Sequence, residues 1–155
     1  MRVDPRCERL GLLSAELSRQ TRRLRENLLS KECAAMSLPE TLCSGDYLLL
    51  NAVGEAGCAV MAEIAKELNI NPSTATRQVN RMLACGLVTK SASAEDERRY
   101  EICLTERGRL LLERMDEHRM AASRRVYEHT TEEELQTVYS CLEKEIEALR
   151  KLNEE

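Results

Sequence analysis

The stretch NPSTATRQVNRMLACGLV, Asn71 to Val88, decides the fold. Ala75, Val79, Met82 and Leu83 stand at i, i+4, i+7 and i+8, which is one apolar stripe of a helix. Asn71 or Ser73 can cap its start, Pro72 suits the first turn, and Gly86 is placed to close it in the left-handed conformation. The opposite face presents Ser73, Thr74, Thr76, Arg77, Asn80 and Arg81, with Gln78 at its margin. No acid occurs between Pro72 and Thr89. A face meant only for water usually mixes Glu with its Lys and Arg. Hydroxyls, amides and guanidinium forks instead match the base edges and phosphates of a DNA major groove.

Upstream, MAEIAKEL has the spacing of a second short helix, closed by Asn69, and NINP turns the chain between the two. Downstream, LVTKS and RYEICLT are rich in Val, Ile, Thr and Tyr and flank the polar segment ASAEDER, the pattern of a β-hairpin with an exposed tip. Two short helices and a hairpin make a winged helix-turn-helix. Lys90, Arg98 and Arg99 are its candidates for contact with the DNA backbone or a minor groove. Glu95, Asp96 and Glu97 beside the two arginines oppose that role, unless Asp96 pairs with one of them and leaves the other free.

The ends of the chain are helical. Leu10, Leu13, Leu17, Leu24 and Leu28 recur at threes, fours and sevens from Glu8 to about Met36, and Ser37 with Pro39 ends the run. A helix opening at Ser44 or Asp46 follows, stopping at Gly54 or Gly57, and CAVM is a candidate short strand. After the hairpin, Glu106 to about His129 resumes helical periodicity. TTEEEL then supplies a capping box for a last helix with Leu135, Leu142 and Leu149 at sevens. The expected class is mainly α with a small β-hairpin wing. Residues 1–36 are expected to form an N-terminal dimerisation helix, 44–106 the winged region, and 107–155 the C-terminal dimerisation helices. These leucine seams exceed what a small winged module can cover, so a second copy is the expected burial site.

Composition narrows the function. The 155 residues hold no Phe or Trp, which favours an aliphatic, helical core, and the net charge of −4 leaves room for a local cationic face. No apolar run approaches a membrane span and the N-terminus lacks an apolar signal region, so a cytoplasmic protein without membrane contact is expected. Seven cysteines, an odd number without an export signal, are expected as thiols, with Cys58, Cys85, Cys103 and Cys141 as small buried apolar groups. Neither they nor His118 and His129, about 16 Å apart along a helix, have the spacing of a metal site, and no cofactor is implied. Cys7, between Arg6 and Arg9, is the candidate redox residue because cations favour thiolate. No nucleophilic triad or glycine-rich phosphate loop is present, which argues against an enzyme, whether thiol-based or metal-dependent. A winged module used only for protein contacts is the other alternative, and the acid-free helix face argues against it.

The segments MAEIAKELNINPSTATRQVNRMLACGLVTK, EDERR and ICLTERGRLLLERM resemble the MarR family of bacterial transcriptional regulators, and the order of elements agrees over nearly the whole chain. The resemblance implies a homodimer, formed by the first and last two helices, that binds a palindromic operator in double-stranded DNA, most commonly as a repressor. It implies Ser73, Thr74, Thr76 and Arg77 as groove readers, Arg98 or Arg99 as the wing arginine, and Thr105, in the pattern Leu104, Thr105, Gly108, as the cap of the following helix. It also implies control by a small effector, or by oxidation of a cysteine near the first helix, where Cys7 lies. The three acids at the wing tip and the many cysteines depart from the family pattern.

Overall fold

The computed structural model describes residues 5–92 and 100–154, the side chains of 5–7 and 154 excepted. The order is α1 (Pro5–Ala35), α2 (Ser44–Ala56), β1 (Cys58–Val60), α3 (Met61–Glu67), α4 (Pro72–Ala84), β2 (Val88–Ala92), β3 (Tyr100–Leu104), α5 (Glu106–Tyr127) and α6 (Glu132–Glu154). The chain divides into two compact units, Met1–Asp116 and Glu117–Glu155.

In the first unit α2, α3 and α4 pack around Leu49, Leu50, Val53, Ile64, Val79 and Met82, all essentially inaccessible to water. Each such side chain contributes about 1.5–3 kcal/mol of transfer free energy. Leu29 and Cys33 of α1 and Leu111 and Met115 of α5 close this core. Of CAVM, Cys58–Val60 form a strand while Met61 opens α3, and the hairpin becomes part of a three-stranded antiparallel sheet in the order β1-β3-β2. Ala59, Ile102, Val88 and Leu104 turn inward from it. The tip residues 93–99, with Arg98, Arg99 and the Asp96 pairing expected there, lie outside the described residues.

The cysteine expectation is corrected by the sheet register. Cys58 pairs with Cys103 across β1 and β3. Their Cα atoms are 4.4 Å apart and the two sulfurs are bonded as a disulfide. Cys58 is exposed and Cys103 half-buried, so neither is the small buried thiol that composition suggests. Cys85 is buried as expected, whereas Cys141 is exposed.

Helix ends follow the local chemistry of the sequence. The Asn71 carboxamide oxygen accepts the Thr74 amide at 3.0 Å, so Asn71 rather than Ser73 caps α4. Asn69 turns the chain between α3 and α4 at φ 49°. Gly86, at φ 66°, ends α4 while the Leu87 amide reaches back to the Met82 carbonyl at 2.9 Å. The Thr105 hydroxyl donates to the Gly86 carbonyl at 2.7 Å and accepts the Gly108 amide at 3.0 Å, so it caps α5 as the resemblance implied. In the second unit Thr131 and Glu134 form the expected capping box, and their hydrogen bonds hold the Glu134 carboxyl below its usual range.

The junction of wing and α5 leaves no room at Gly108, where an added Cβ would lie 2.1 Å from the Leu87 carbonyl oxygen. Gly108→Ala should therefore force the two backbones apart and destabilise the chain by at least about 1–3 kcal/mol, read as a lower urea midpoint. Unchanged stability would mean that this contact is not close in solution.

Candidate nucleic-acid interface

α4 buries Ala75, Val79 and Met82 as its spacing predicts, with Leu83 half-buried against the core. Gln78, placed at the margin by periodicity, is buried. Ser73, Thr76, Arg77 and Asn80 are exposed together along one face, and Thr74 is half-buried beside them. Two of the hydroxyls are already engaged: Ser73 donates to the Asn71 carboxamide oxygen at 2.7 Å, and Thr76 to the Pro72 carbonyl at 2.8 Å. Both keep oxygen lone pairs available, and Thr76 keeps its methyl group.

Arg81 is the residue that the structure removes from this face. Its Nη1 donates to the Asp46 carboxylate at 2.6 Å, and its Nε lies 3.4 Å from Glu40. Asp46 is wholly buried, and its carboxylate also accepts the Cys43 amide at 2.9 Å, capping α2. The hydrogen bond to Asp46, with the carboxylate's charge, pushes the Arg81 pKa up and keeps the guanidinium charged. Arg81 therefore fixes α4 against α2. Helical periodicity alone puts it on the outward face because its partner lies 35 residues away.

Lys90 is exposed on β2, with its ammonium 4.3 Å from the centre of the Tyr100 ring on β3. Between α3, α4 and the sheet lies an open cleft of about 610 Å³, which Thr76 and Asn80 share with Lys66, Lys90, Met61 and Tyr100. The exposed polar face of α4 is thus continuous with one wall of a cleft.

The thiols divide by burial. Burial pushes up the pKa values of Cys33 and Cys85, which suppresses thiolate at neutral pH. Cys43 and Cys141 are exposed and free, and the Cys7 side chain lies outside the described residues.

A capped helix following a short helix and a tight turn, with a three-stranded wing beside it, defines a winged helix-turn-helix fold. Residues 44–99 match the MarR family model. The HTH-type transcriptional regulator YwhA of Bacillus subtilis, itself uncharacterised, is 26% identical over 115 residues, covering 74% of this chain and 83% of that protein. A mutant MarR from E. coli, solved in complex with operator DNA, superposes with a TM-score of 0.69 at 20% identity, covering 93% of this chain and 98% of its own. FabT of Streptococcus pneumoniae, solved in complex with DNA, gives 0.76 at 18% identity, covering 94% and 98%. The winged region of the chain is thus similar to the MarR family of transcriptional regulators, and the chain shares its fold with these solved regulators.

Arg81→Ala should strand the buried Asp46 carboxylate and cost about 3–5 kcal/mol of stability in urea unfolding. Arg77→Ala, on the exposed face, should stay within about 0.5 kcal/mol of the parent. Equal effects of the two substitutions would show that Arg81 is not the anchor.

Proposed function

We propose that the chain is a homodimeric repressor that lays α4 in the major groove of each half of a palindromic operator. The observation that carries this reading is the exposed face of α4, where Ser73, Thr76, Arg77 and Asn80 stand together on a helix without a single acid. Thr74 lies near the helix N-terminus, where backbone amides favour phosphate. Arg77, one turn further along, is placed to reach a guanine, and Asn80 to pair with adenine. Arg81 supports the helix from behind rather than reading bases. Lys90 is suited to phosphate contact at the wing, and Arg98 and Arg99 are assigned to the wing by their place in the sequence. The operator-bound MarR and DNA-bound FabT, which share the fold, support the assignment. Such a regulator would work beside the chromosome in the cytoplasm.

The dimer is supported by the apolar faces of the terminal helices. Leu10, Leu13, Leu17 and Leu24 on α1 are exposed, as are Leu142, Ile146, Leu149 and Leu152 on α6. Rows of large exposed aliphatic side chains are characteristic of surfaces that another chain covers. A small aromatic or phenolic effector suits the cleft beside α4, whose volume lies in the range of ligand sites. Bound there, it would share Thr76 and Asn80 with the DNA. Control through oxidation of Cys7 belongs to the same reading; a Cys7→Ser protein should then keep DNA affinity under peroxide.

Arg77→Ala should weaken operator binding by about 1–3 kcal/mol per contact and relax preference at one base pair in each half-site. Lys90→Ala should instead weaken all sequences alike and flatten the salt dependence by about one unit per phosphate contact. Fluorescence anisotropy on operator and scrambled duplexes separates the two patterns, and parental operator affinity in Arg77→Ala would end the assignment of α4 as reader. Light scattering at micromolar concentration should find a dimer. Leu142→Glu with Leu149→Glu should dissociate it, and a monomeric parent would remove the two-fold reading.

A further inference from the structure

The outer face of the wing sheet brings together a set of metal-ligating groups that the sequence scatters. Cys58 on β1 faces Cys103 on β3, and the next pair on that face is Val60 with Glu101. The two sulfurs and a Glu101 carboxylate oxygen all lie within 4.8 Å of one another. Cys58 is exposed while Cys103 and Glu101 are half-buried, so the cluster has a fixed floor and an edge open to water. Beneath it Ala59 and Ile102 are buried in the core and hold both strands in place.

We propose that the reduced form of this cluster binds one thiophilic divalent cation of the zinc class through Cys58, Cys103 and Glu101, and that the disulfide is its closed, metal-free form. Zinc–thiolate bonds of about 2.3 Å in a tetrahedron set the two sulfurs about 3.8 Å apart. A directly opposed strand pair, with Cβ atoms about 4.5–5.5 Å apart, spans that distance without moving the backbone. The carboxylate supplies a third ligand, and water reaches the fourth position from the open edge. Two thiolates select zinc-like ions over magnesium or calcium, which prefer oxygen.

Opening the site takes two electrons. A dithiol reductant breaks the S–S bond and is itself oxidised to a disulfide, leaving two thiols on the wing. Each thiol loses its proton to solvent as its sulfur binds the cation. A peroxide reverses the change. The two thiolates give up two electrons and join as the disulfide, the O–O bond breaks, its oxygens take two protons from solvent and leave as an alcohol and water, and the cation is released.

The test is a titration of the full chain with Co²⁺ alone, after reduction by a phosphine in the absence of air. Reduced protein should bind one ion per chain, with the near-ultraviolet charge-transfer absorption of two thiolate ligands, and the oxidised chain should show none. Cys58→Ser with Cys103→Ser should abolish that absorption. Glu101→Gln leaves the dithiol intact and serves even where the double variant misfolds. It should weaken binding at least about tenfold, since losing an outer-sphere partner alone costs 10–100-fold. The proposal is overturned if the phosphine leaves the disulfide intact, if the reduced chain takes up no cobalt, if the absorption survives in the double variant, or if Glu101→Gln binds as tightly as the parent.

Discussion

The arrangement of the winged unit depends on one buried carboxylate. Asp46 has no exposed surface, and a lone ion there would carry a desolvation cost of several kcal/mol. It is matched by the Arg81 guanidinium on α4 and by the Cys43 amide at the start of α2. One oxygen, Oδ2, accepts both bonds, so a single atom caps one helix and orients another. This is why α4 can offer an acid-free face to the outside: the negative charge that balances Arg81 sits behind it, on Asp46 and Glu40. A charged pair in that position specifies direction as well as stability, because only one rotation of α4 brings Arg81 to Asp46 while burying Val79 and Met82.

A second tie holds the ends of that unit together. Arg107, in the first turn of α5, donates to the Met36 carbonyl at 2.5 Å and to the Cys85 carbonyl at 3.3 Å, and so satisfies backbone acceptors where α1 and α4 stop. Arg114 adds an ion pair to Glu32 at 3.2 Å. The cationic side chains of the first unit thus divide between those that secure its frame, such as Arg81 and Arg107, and those that stand free of it, such as Arg77. Charge counting alone does not distinguish these groups, which is why a chain of net charge −4 can still leave Arg77 unopposed on an acid-free helix face.

Much of the fold was legible because its signals are local. The stripe of Ala75, Val79 and Met82, the stop at Gly86 and the Thr131 capping box each lie within a few residues of what they control. The mainly helical class with its wing followed from these elements and is what the structure contains. What sequence reasoning missed depends on contacts between distant residues. Arg81 meets an acid 35 positions away. Cys58 and Cys103 are 45 apart and meet only through the register of β1, a strand of three residues whose pairing no pattern announces. Their opposed placement, not their spacing, makes them a pair. For the candidate interface, the helix face was readable from periodicity, but its membership was not: burial claims Gln78, and Asp46 claims Arg81.

The joint formed by Gly86, Thr105 and Gly108 governs how freely this stretch can drift in sequence. Position 86 needs a left-handed backbone, position 105 a hydroxyl that both donates and accepts, and position 108 the absence of any side chain. Serine can substitute for the threonine while keeping both hydrogen bonds, but alanine is already too large for the second glycine. Exposed Glu106 between them carries no such demand. Leu-Thr-x-x-Gly is thus a physical specification written in residue letters, and each fixed letter stands for a contact whose loss no neighbouring change can readily repair.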